Sequence, residues 1–247
     1  MSIETDTDWK GLRRAGAIVR ETLDAIEREV HAGVSTKELD EVAAGVLARH
    51  GARSAPAMTY GFPGTVLISV NDEVVHGIPG PRRVKHGDVV KLDVTVEKDG
   101  YIADAARTVI VEAGDERARR LVACAKAAFD AALVVASAGN RVNEIGRVVD
   151  REVRRRGFSV VKGLGGHGVG RTIHEPPPVP NDYNPRQMDV LTDGLVIAIE
   201  PIICAGSGRA VESTDGWTIL TRDGSLAAHY EHTVVITRGR PVLLTAA

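Results

Sequence analysis

Four acids, Asp93, Asp104, Glu200 and Glu231, and two histidines, His167 and His174, are the residues of this 247-residue chain whose types and placement could do chemistry. The histidines stand seven residues apart in GHGVGRTIHEPP (166–177), among glycines and prolines. Glycine permits backbone conformations and close approaches that side chains forbid, and the proline run stops a helix. The segment is therefore predicted to be a shaped loop. Taken alone, its imidazoles suit a site and a pair of hydrogen-bonded structural groups equally.

The acids narrow the choice. In VVKLDVTV (89–96) the apolar Val90, Leu92, Val94 and Val96 occupy one face of a strand, which leaves Asp93 on the other with Lys91 and Thr95. Asp99-Gly100 is a strong hairpin signal. With a two-residue loop Asp93 faces Ala106, and Asp104 lies diagonally beside it at roughly 7–8 Å. A loop of odd length would put the two acids on opposite faces. Carboxylates on one face repel unless a cation lies between them. Lys91 or Arg107 could serve, giving a surface ion-pair ladder as the alternative to a site.

Glu200 ends the apolar strand LVIAIE, 107 residues after Asp93, and Glu231 opens another strand in YEHTVV. Four carboxylates and one neutral imidazole carry about four negative charges, which two divalent cations would cancel. Oxygen-rich ligands with a single nitrogen suit cobalt, manganese, iron or zinc in an open site. Two such ions roughly 3.5–4 Å apart can share a water, lower its pKa and hold it for attack on a carbonyl. The chemistry predicted is hydrolysis.

The elements that must position these groups repeat. Leu12, Ala15, Val19, Leu23, Ile26 and Val30 recur at helical spacing, and a second helix follows, with Ser35 and Glu38 spaced as a capping box and Gly51 at its end. Strands are predicted at 65–70, 89–96 and 106–112. An alanine-rich helix then runs from about Asp115 to Ala138, and 139–157 mirrors 33–51 at an offset of 106, with Gly33 matching Gly139, Glu38 matching Glu144 and Gly51 matching Gly157. Further strands follow, among them 193–200 and 232–237. Two similar halves, about 7–112 and 115–240, are expected to build one sheet flanked by helices within a single domain spanning 1–247.

Composition sets the outer limits. Basic and acidic residues nearly balance at a formal net charge of −2, which gives no reason to expect a specific nucleic-acid partner or a membrane surface. Two cysteines, Cys124 and Cys204, form no CxxC pair and no disulfide framework. With no apolar leader and no run of about 20 apolar residues, a cytoplasmic protein is expected.

In order and spacing, SVNDEVVHGIPG (69–80), KLDVTVEKDGYIADAARTV (91–109), GHGVGRTIHEPP, AIEP (198–201) and DGWTILTRDGSLAAHYEHTVVIT (215–237) give a chain that resembles the bacterial-type, type I methionine aminopeptidases over nearly its whole length. The resemblance implies an α+β pita-bread fold of the creatinase and aminopeptidase kind, a curved, mainly antiparallel sheet flanked by helices. It implies Asp93, Asp104, His167, Glu200 and Glu231 as ligands of two divalent ions, with Asp104 and Glu231 bridging. It gives Glu200 a further role as the proton-handling carboxylate. His76 and His174 would bind substrate and stabilise the tetrahedral intermediate. Tyr60, Phe62 and Trp217 match the methionine pocket, with ordinary core aromatics as the alternative. The resemblance also implies an ordered monovalent cation near Asn71 and a monomer acting on the N-terminal methionine of nascent polypeptides, with transient ribosome contact.

Two positions depart from common relatives. Leu67 replaces a frequent cysteine and Thr59 a frequent tyrosine. An Xaa-Pro aminopeptidase or prolidase shares the ligand pattern but usually carries an extra N-terminal domain, whereas the first helix here is expected to begin near Thr7. A non-catalytic pita-bread binding protein is the reading from another functional class, and the presence of all five expected ligands weighs against it.

Overall fold

The computed structural model describes residues 1–246. Its first half runs α1 (Asp6–Glu29), α2 (Thr36–His50), β1 (Arg53–Ser54), α3 (Ala55–Tyr60), β2 (Leu67–Val70), β3 (Glu73–Val75), β4 (Val89–Lys98) and β5 (Tyr101–Ile110). The second runs α4 (Glu116–Val135), α5 (Val142–Arg155), β6 (Ser159–Val160), β7 (Gly165–Gly168), β8 (Glu175–Pro180), β9 (Val196–Ile199), β10 (Ile202–Cys204), β11 (Ala210–Glu212), β12 (Ile219–Thr221), β13 (Ala227–His229), β14 (His232–Val235) and β15 (Val242–Leu243). This is an α+β arrangement in which the strand pairs are antiparallel.

Local chemistry sets the helix ends. Ser35 and Glu38 form the predicted capping box of α2, which satisfies first-turn N–H groups, and Gly51 closes the helix in the left-handed region at φ 57°. Thr5 and Asp8 cap α1 in the same way. The apolar stripe of α1, from Leu12 to Ile26, is fully buried against β4 and β5, where Leu92, Val94 and Val96 meet it. The odd-numbered residues of β4 therefore face the other way. In the second half α4 and α5 pack together over a separate apolar cluster that includes Ile197, Ile199 and Val234. Gly33 and Gly139, matched by the repeat, share φ values of 94° and 97°.

The antiparallel surface divides into four ladders. The largest has the order β15-β14-β9-β7-β8, and a second has β1-β4-β2 with β5 on β4. Across the seam between halves, Ala106 and Glu231 exchange backbone hydrogen bonds of 3.3 and 2.9 Å. The surface thus continues from one half into the other.

The expectation of a loop through 166–177 holds for 169–174, where His174 sits, and needs correction at both ends, which are strand. Gly165–Gly168 forms β7 and Pro176–Pro180 lies in β8. A Cβ on Gly166 would stand 2.1 Å from the Ala198 carbonyl oxygen, and one on Gly168 would stand 2.3 Å from that of Pro176. The glycines let strands lie unusually close. The prolines fall on β8, an edge strand, where a missing N–H is tolerated.

Candidate metal centre

Asp99 and Gly100 form the hairpin turn, with φ values of 52° and 82°, both in the left-handed region that a two-residue turn of this kind requires. The register follows as predicted. Asp93 pairs with Ala106 and Thr95 with Asp104, so both acids lie on the face turned away from α1.

Neither candidate cation neutralises them. Lys91 is 1% exposed, and its ammonium donates to the carbonyls of Asn71 at 2.8 Å and Val89 at 3.3 Å. Arg107 turns to Asp24 and Glu27 on α1, at 2.6 and 3.0 Å. The ion-pair ladder is therefore absent among the described residues, because both long side chains find partners away from the acids.

The second half brings the remaining groups to the same place. Glu200 follows β9, and its backbone carbonyl accepts from the buried Asn181 side chain at 2.8 Å. Glu231 precedes β14 at the seam. His167 sits at a register shift in β7. Its Nδ1 lies 2.9 Å from the Gly168 carbonyl, which can only accept, so Nδ1 carries the hydrogen and Nε2 presents a lone pair 3.5 Å from Glu200 Oε1.

Two groups of ligand atoms arise, each with its atoms within 4.8 Å of one another: Asp104, His167 and Glu231, and Asp93, His229 and Glu231. Glu231 belongs to both. Glu200 belongs to neither but stands between their imidazoles, 3.5 Å from His167 and 3.4 Å from His229. His229 was not among the residues singled out from sequence. The one available signal was its spacing of two from Glu231, which in extended chain puts both on one face.

Whether these residues fit metal can be judged from their unpaired atoms. Asp93 Oδ1, Asp104 Oδ1, Glu231 Oε1 and both ring nitrogens of His229 are sealed from solvent without a hydrogen-bond partner. Burial, together with the Asp104 and Glu200 charges, holds Asp93 and Glu231 well above the usual carboxylate range. Burial and Asp104 push Glu200 up to about 8, against an opposing pull from His167. Such orphaned, mutually repelling oxygens beside imidazole nitrogen make a donor set suited to divalent cations.

The acids line a recess of about 110 Å³. This is small beside the roughly 300–1,000 Å³ of drug-sized sites, and it suits a single side chain. Tyr60, Phe62, Leu67 and Trp217 line it together with His76 and His174. Phe62 meets Trp217 edge-on at 5.2 Å, and Leu67 is there because it pairs across the ladder with Asp93. Thr59 is exposed and lies outside the lining.

His174 Nδ1 bonds the Tyr60 hydroxyl at 2.6 Å, and its ring packs edge-on against His167 at 4.3 Å. The two histidines of the original motif are thus neighbours. Burial pushes His174 down to about 4 and lowers His76, so both imidazoles are neutral near pH 7. His76 adopts φ 61°, an uncommon value for a residue with a side chain, and its carbonyl accepts from Thr218, one residue from Trp217, at 3.5 Å.

Residues 10–238 match the model of metallopeptidase family M24. Methionine aminopeptidase 2 of Bacillus subtilis (strain 168) is 43% identical over 247 residues, covering 99% of both chains. The crystal structure of a methionine aminopeptidase from Thermotoga maritima superposes with a TM-score of 0.96 at 34% identity over the full length of both chains. A prolidase from Pyrococcus furiosus shares the fold at a TM-score of 0.80 and 22% identity, but the match covers only 65% of the prolidase.

Proposed function

The chain belongs to metallopeptidase family M24, and from that premise we propose that it is a methionyl aminopeptidase, a metal-dependent hydrolase that removes the N-terminal methionine from nascent proteins and peptides when the second residue is small. The observation that carries this reading is the convergence of buried carboxylates from both halves at an aromatic-rimmed recess sized for one side chain. The near-full-length similarity to the Bacillus and Thermotoga enzymes supports the same substrate.

In this reading Asp93, Asp104, His167, Glu200 and Glu231 hold two divalent ions of the cobalt, manganese, iron or zinc type. When bound, such ions lower the pKa of water and polarise a carbonyl. Glu200, which stands 3.5 Å from His167 and 3.4 Å from His229, takes up and returns the proton. His76 and His174, both neutral, orient the peptide and stabilise the developing negative oxygen. Tyr60 fixes His174 through its hydroxyl. Phe62, Trp217 and Leu67 receive the thioether, an apolar and polarizable group.

The catalytic unit is taken as the whole of 1–247, built from halves of about 7–112 and 115–240. Near Asn71 we propose an ordered monovalent cation, beside the Lys91 amine that bonds the Asn71 carbonyl and that burial lowers to about 7. No helix among the described residues is long and apolar enough to cross a membrane, and we place the enzyme in the cytoplasm, as a monomer meeting chains as they leave the ribosome.

A peptide panel tests the reading. After chelation and cobalt or manganese reconstitution, Met-Ala-Ser should be cleaved, and formyl-Met-Ala-Ser and Met-Lys-Ser refused. Preferential cleavage of Ala-Pro-Ser would assign the Xaa-Pro class. Inertness towards every peptide across several metals would favour a binding protein.

A further inference from the structure

Building on the metal-site reading above, we propose that His229 is itself a metal ligand, so that each ion of the pair is held by one imidazole. His229 is 1% exposed, and its backbone is fixed on both sides by Thr108, whose hydroxyl accepts from the His229 N–H at 2.8 Å and donates to its carbonyl at 2.7 Å. The ring thus enters the centre from a rigid position on β13.

Its Nε2 stands 3.4 Å from Glu200 Oε2 and 3.4 Å from Glu231 Oε2. Neither contact is a hydrogen bond, since Nε2 has no partner with acceptable geometry. A nitrogen and an oxygen sharing one tetrahedral ion, with bonds of about 2.0–2.1 Å, lie about 3.3–3.4 Å apart. The spacing is that of co-ligands.

The arrangement also mirrors the other side of the centre. His167 groups with Asp104 and Glu231, and His229 groups with Asp93 and Glu231. One acid from the β4–β5 hairpin, one imidazole and the shared Glu231 define each position. A nitrogen donor for both ions shifts preference away from manganese and towards cobalt, zinc or iron at both positions.

X-ray absorption of the wild-type protein loaded with two equivalents of cobalt or zinc counts the imidazoles directly. About one imidazole per ion is expected, and one imidazole per two ions would overturn the proposal. Calorimetric titration of His229→Ala and His229→Gln with cobalt should retain one ion at wild-type affinity and weaken the other at least about tenfold. Two ions bound with unchanged affinity by both folded variants would also overturn it. Failure of the wild-type protein to bind any divalent ion would instead remove the dinuclear reading on which the proposal rests.

Discussion

The hydroxyl of Thr233 closes two hydrogen bonds on the backbone of Asp104, accepting from its N–H and donating to its carbonyl, each at 2.8 Å. Thr233 is fully buried on β14, and Asp104 lies in β5 of the other half. Thr233→Val keeps the shape and strands both backbone groups. A loss of about 1–3 kcal/mol of folding stability is expected, the usual penalty for a buried polar group without a partner. Metal affinity should fall about 10–100-fold, as it does when the groups supporting a ligand are removed. Denaturant unfolding and metal titration check the two effects, and an unaltered variant in both assays would show that the latch does not position Asp104.

Glu200→Gln removes the proton-accepting oxygen and keeps the volume. Turnover should drop at least about a hundredfold, the lower range for a general acid-base group. Activity at saturating metal is the measurement, and wild-type turnover would exclude the proton-handling role.

Metal affinity should rise with pH. Burial and Asp104 raise Glu200 to about 8, so the metal-free carboxyl keeps its proton well above the 4.5 of a free one. Metal binding must expel that proton. For each proton released, affinity should increase up to about a hundredfold between pH 6 and 8, and Asp93 and Glu231, also held well above the usual carboxylate range, add to the rise. Calorimetry in buffers of different ionisation enthalpy reports the proton directly, and binding without proton release would contradict the assignment.

The three histidines around the recess should separate by metal content. His167→Ala should lose metal, while His76→Ala and His174→Ala should keep it and turn over slowly. Elemental analysis beside single-turnover kinetics distinguishes them. Equal metal loss in all three would place His76 and His174 among the ligands.

Much of the centre was legible because short-range rules govern it. Asp99-Gly100 admits a two-residue turn with both φ values positive, and that turn alone fixes the register bringing Asp93 and Asp104 to one face. Glu200 was found through the repeat. What stayed hidden depends on distant partners. Lys91 was a candidate counter-ion until the Asn71 carbonyl took its ammonium, and GHG read as loop because only the approach of Ala198 and Pro176 shows why its glycines make strand. His229 and Thr233 look like ordinary strand residues until the seam brings them against acids and backbone of the first half.

That seam has a thermodynamic consequence. Asp93 and Asp104 belong to one half and Glu200 and Glu231 to the other, and the apolar cluster beneath α1 also takes in Val169, Val196, Val235 and Leu244 of the second half. The centre therefore reports the docking of halves that share a core. Heating that parts Ala106 from Glu231 would open that shared core, so metal release, loss of activity and loss of helix content are expected in one transition. Bound metal, conversely, would act as a clasp that delays this parting. Inactivation temperature and the circular-dichroism midpoint would then rise together with metal concentration.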